Sequence, residues 1–122
     1  MTTWLERLST QLSLIPFSQD WGICNADADR LEEFLDVYDS HVPEDPYELE
    51  VLAELILQSA EDALIAGELE KPLRDRLIGF IADHGHDFPE TLGYWSELDQ
   101  ADWQVSGLIH EAQGVEIARR FN

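Results

Sequence analysis

Basic residues are what this sequence most lacks: seven Lys and Arg stand against 26 Asp and Glu, a formal net charge of −19 over 122 residues. Such a surface repels phosphate backbones and anionic lipid, which disfavours direct nucleic-acid binding and adsorption to a membrane. Cysteine is nearly absent. Cys24 stands alone, so no intramolecular disulfide can form, which suits a reducing compartment. Beside Ile23 it is expected to be a mostly buried, unreactive thiol. No run approaches the roughly 18 consecutive apolar residues of a membrane span, and MTTWLERLSTQL lacks the basic-then-apolar order of a secretory signal. A cytoplasmic protein is therefore expected. Glycine-rich phosphate loops, GxSxG elbows and HExxH motifs are missing as well, so an enzyme is not expected, nor is any cofactor. Strand-like alternation and internal repeats are also absent.

Apolar content is ample. Forty-four per cent hydrophobic residues and four tryptophans exceed what a disordered acidic tail carries, and the length suits one domain, residues 1–122, with one core. The organising stretch is DPYELEVLAELILQSAEDALIAG, residues 45–67. Leu49, Leu52, Ala53, Ile56, Ala60, Ala63 and Leu64 recur at helical spacing. With Leu55 and Leu57 the apolar arc spans roughly 200°, wider than the stripe of a surface helix. Neighbours are needed on several sides. Asp45 with Glu48 forms a capping box, Pro46 fits the first helical position, and Gly67 can take a left-handed stop.

The remaining chain is read around this central helix, near residues 46–66. Thr3 and Glu6 cap a first helix carrying Trp4, Leu8 and Leu12. Residues 16–26 read as a loop with Phe17, Trp21 and Ile23 tucked onto the core. Asn25 or Asp27 caps a second helix through about Ser40, with Leu31, Phe34, Leu35 and Tyr38 inward, and SHVPEDP breaks it. Pro72 opens a helix with Leu73, Leu77, Phe80 and Ile81 inward and Gly85 at its end. PETLGYW forms a short helix or turn, in which Tyr94 and Trp95 beside Leu92 are expected in the core. Ser96 or Asp99 caps a last helix carrying Val105, Leu108, Ile109, Ala112 and Val115 and ending at Arg119, Arg120 and Phe121. Its Gly107 and Gly114 cost about 1 kcal/mol each relative to Ala unless another helix approaches there. The expected architecture is all-α, a compact single-domain bundle of about five main helices plus a short one.

Two constellations resemble metal sites and are better explained otherwise. His84 and His86, between Asp83 and Asp87, would need further ligands such as His41, His110 or Glu111 to converge on them. Asn25, Asp27, Asp29 and Asp36 match four positions of a calcium loop, but Arg30 occupies its glycine position and residues 31–35 read as helix.

The acidity is concentrated. Residues 27–54 hold eleven acids and one base, Arg30, and so carry −10 in 28 positions. Asp29, Glu32, Glu33 and Asp36 point away from the apolar face of the second helix, and Asp39 joins them among the expected contact residues. Glu50, Glu54 and Glu61 form the polar stripe of the central one. Side by side, the two helices would present one anionic patch, with Tyr38, Tyr47 and Val42 as apolar anchors. A basic protein would be captured quickly by such a surface and held by a few buried contacts. In size, acidity and cytosolic character the chain resembles the small immunity proteins that bacteria pair with toxins, and other acidic inhibitors. That resemblance implies a cognate basic toxin, such as a nuclease, as partner. A helical adaptor or self-associating domain using Gly107 and Gly114 is the alternative.

Overall fold

A computed structural model describes residues 3–16, 19–96 and 104–120. Within them the chain forms seven α-helices and no strand: α1 (Trp4–Leu12), α2 (Trp21–Asn25), α3 (Leu31–Ser40), α4 (Tyr47–Ile65), α5 (Lys71–His84), α6 (Pro89–Trp95) and α7 (Val105–Arg120). The fold is all-α. Five are the expected main helices and α6 the expected short one, whereas α2 forms inside the segment read as loop. Phe17, Asp99 and Phe121, given roles above, lie outside the described residues.

The central helix begins and ends where its local chemistry dictates. Asp45 accepts the N–H of Tyr47 at 2.8 Å, and Glu48 reaches back to accept the N–H of Asp45 at 3.0 Å and that of Glu44. Gly67 takes φ +69°, and the N–H groups of Gly67 and Glu68 return to Leu64 and Ala63. Between these ends Leu52, Ala53, Leu55, Ile56, Leu57, Ala60 and Ala63 are buried, over the wide arc the spacing predicts. Every other helix contributes to the same core: Leu8 and Leu12 from α1, Trp21 from α2, Phe34 and Leu35 from α3, Leu77, Phe80 and Ile81 from α5, Trp95 from α6, and Leu108 and Ile109 from α7. Thr3 caps α1 as expected, accepting the Glu6 N–H at 3.2 Å.

The unexpected α2 lies against α4. At Gly22 a Cβ would stand 2.8 Å from the backbone nitrogen of Leu55, so only glycine lets the two backbones approach this closely. Trp21 is buried and its indole N–H donates to the Ser9 hydroxyl at 2.8 Å. Asn25 caps no helix; its side-chain amide pairs with both the N–H and the C=O of Ile15 and also donates to the Trp21 carbonyl. Asp27 supplies the cap, for a 3₁₀ turn at Ala28–Arg30 leading into α3. Ile23 and Cys24, expected inside, are exposed. Five residues of helix turn only Trp21, Gly22 and Asn25 inward. No helix among the described residues is long and apolar enough to cross a membrane.

Candidate functional site

Helices leave orphan N–H groups at their first turn, and a carboxylate placed there is favourable. Neither α2 nor α6 has a local side-chain cap. The polar stripe of α4 supplies what these helices lack. Glu50 accepts the N–H groups of Glu90 and Thr91, at 3.2 and 2.8 Å, at the start of α6. Glu54 accepts the Ile23 N–H in α2. Glu61 accepts those of Gln104 and Val105, at 3.0 and 2.8 Å, at the start of α7. Glu61 is buried, and Glu50 and Glu54 are half-buried. The stripe that amphipathic spacing assigns to solvent is thus an internal set of caps.

Glu54 is the least comfortable of the three. Burial, with the nearby charge of Asp20 in support, pushes its pKa above the ordinary 4.5, and the Ile23 N–H offsets only part of this. It faces a cleft of about 170 Å³ between α4 and α6, also lined by Glu50, Tyr47, Glu90, Thr91 and Tyr94. Tyr47 is 56% exposed, as an anchor must be, with its ring edge-on to Trp4 at 6.2 Å. Tyr94, expected in the core beside Trp95, is 54% exposed, whereas Trp95 is buried. Adjacent residues on a short helix cannot share a face.

The acids of α3 are exposed as expected, but mostly not solitary. Arg76 of α5 reaches Asp36 at 2.7 Å and Asp39 at 3.2 Å, and these contacts hold its guanidinium more firmly charged. Arg30 pairs with Glu33 and lies over the Phe34 ring at 5.0 Å. Asp29 and Glu32 have no cationic partner among the described residues. Glu32 joins Glu68 and Glu70, which the sequence reading overlooked, around a cleft of about 330 Å³ that Pro72, Leu73 and Arg76 also line. The signal was present in the Glu-Leu-Glu that follows the Gly67 stop. Of the predicted acids, Glu32 lines this cleft and Glu50 and Glu54 line the one between α4 and α6, while Glu33, Asp36 and Asp39 face arginines.

Tyr38 cannot serve as an anchor. It is buried, edge-on to Phe80 at 4.9 Å, and its hydroxyl donates to Asp87 at 3.1 Å. Burial and the Asp87 charge push its pKa up, so the phenol stays protonated. Val42, in the loop before α4, is 84% exposed. His84 and His86 both face Asp87, at 3.5 and 3.3 Å, and among the described residues no three His, Cys, Asp or Glu side chains converge as metal ligands do.

All seven Lys and Arg of the chain are in ion pairs. Arg7 meets Glu44, Lys71 meets Asp75, Arg74 meets Glu111, Arg119 meets Asp83 and Arg120 meets Glu116. Comparison with protein-family models, with curated proteins and with solved structures gives no match.

Proposed function

We propose that the chain is a non-enzymatic binding protein of the immunity or inhibitor kind, which docks a basic protein, such as a toxin nuclease, through its anionic surface. The observation that carries this reading is the engagement of every cationic side chain within the molecule. An anionic partner would have to break an existing pair, while a cationic one meets carboxylates that need nothing displaced. The α3 face is the principal docking region. Asp29 and Glu32, with Glu68 and Glu70, offer uncommitted charge, and Glu33, Asp36 and Asp39 add to the field although each faces an arginine. Long-range attraction of this kind raises association rates more than affinity and weakens with salt.

The test begins with a basic protein captured from the native host at low salt. Its association rate should fall steeply as salt rises, and should drop by about tenfold or more when Asp29, Glu32, Glu68 and Glu70 are changed together to Asn or Gln. A complex that forms at an undiminished rate with that variant would refute the assignment. Self-association is the second reading, and one observation favours it: among the described residues, nothing stands within 4 Å of where side chains at Gly107 and Gly114 would begin, so these glycines serve no helix contact there. Sedimentation across a concentration series separates the two, since a persistent monomer excludes self-association.

A further inference from the structure

We infer that the cleft between α4 and α6 is the seat of one arginine side chain from the basic partner, a step that rests on the partner class proposed above. Three features of the cleft converge on that occupant. Its walls include two exposed tyrosines, Tyr47 and Tyr94, one from each helix. Aromatic faces attract cations, and guanidinium, planar and weakly hydrated, stacks on them better than ammonium does. Glu50 and Glu54, both half-buried, also line it. Both oxygens of Glu50 already accept backbone N–H groups. Glu54 has the Ile23 N–H as its partner and the like charge of Asp20 nearby, while a carboxylate can accept about four hydrogen bonds. A forked donor would fill that capacity and relieve the repulsion.

No side chain of the chain's own takes that place, since every lysine and arginine faces a carboxylate elsewhere. The volume of about 170 Å³ is of side-chain size. A bare metal ion fits poorly, since it would leave the tyrosine walls unused and would compete with N–H groups for Glu50. Glu90, at the rim, adds a further negative charge.

The test uses N-acetyl-arginine N-methylamide as probe, followed by amide chemical shifts of the full chain. Saturable shifts should appear at Tyr47, Glu54, Glu90 and Tyr94, and the uncharged citrulline analogue should not produce them. Tyr94→Ala, at an exposed ring that meets Trp95 edge-on at 5.6 Å, should weaken the probe by about fivefold, the size of a cation–π contact at a partly open site. Glu54→Gln should weaken it further at neutral pH. Equal shifts with citrulline, shifts centred on Glu32, Glu68 and Glu70, or indifference to both variants would each overturn the assignment. If the arginine probe fails while the captured basic protein still binds with strong salt dependence, the cleft is wrong and the binding function stands. If the probe succeeds but no basic protein shows rate loss with the variant changed at Asp29, Glu32, Glu68 and Glu70, the broader function fails instead.

Discussion

Gly22 and Glu54 are neighbours across the α2–α4 contact, and each makes a prediction at the scale of one side chain. A methyl group at Gly22 would meet backbone, the Leu55 nitrogen at 2.8 Å, as well as the Glu54 Cγ at 3.0 Å. Backbone cannot rotate aside, so Gly22→Ala should lower unfolding free energy by about 1–3 kcal/mol, the usual cost of overpacking, read from urea midpoints. Glu54 titrates in the opposite sense to a salt-bridged acid. Its folded pKa lies above its unfolded one, so the native state binds this proton more tightly and the contribution of Glu54 to stability falls as pH rises from about 4.5. Glu54→Gln keeps an oxygen for the Ile23 N–H and removes the charge. Melting temperatures of the two proteins should coincide near pH 4.5 and separate in favour of the variant by pH 7.5; a pH-independent difference would mean that the charge is not the cause.

Among the elements, α4 has a double role: its apolar arc holds the core, and its carboxylates hold the first turns of α2, α6 and α7. Packing and capping are therefore coupled. Glu61→Ala would strand two N–H groups at the start of α7, one of them buried. It should destabilise by about 2–3 kcal/mol, since hydrogen bonds to a charged acceptor are among the stronger ones. Hydrogen exchange should quicken first at residues 105–109. Glu61→Gln, which retains one acceptor oxygen, should lose roughly half as much. If both variants matched the parent protein, capping from α4 would contribute nothing. Helical periodicity had placed Glu50, Glu54 and Glu61 on one stripe. It could not reveal that three helix starts lie along that stripe, because which helix ends opposite a given residue is a long-range matter.

Over the whole molecule the excess of negative charge opposes folding. Surface ion pairs of the kind formed by Arg7, Lys71 and Arg120 are individually weak, and seven cations cannot offset 26 acids. Screening should therefore stabilise the protein. Raising NaCl from about 0.02 M to about 0.3 M, where the Debye length falls below ~10 Å, should raise the melting temperature by on the order of 5 °C. A fall would mean that the ion pairs outweigh the repulsion. The same salt that steadies the fold should slow capture of a basic partner, so stability and association rate should move in opposite directions.

The sequence alone determined where most helices begin and end, because capping boxes, prolines and the left-handed Gly67 act over a few neighbouring residues. It also determined which residues fill the core, because a 3.6-residue period assigns faces without reference to the rest of the chain. It exposed the acidic character of α3 and placed Tyr47 at the surface. The tertiary structure decided the fate of the polar and borderline side chains. A carboxylate can face water, a guanidinium or an orphan N–H, and the choice depends on which element arrives opposite it. Glu61 therefore went inside, Asp36 and Asp39 met Arg76, and Tyr94 turned outward beside a buried Trp95. The cleft that joins Tyr47 to Tyr94 exists only because α6 starts on Glu50, 40 residues from its own first turn.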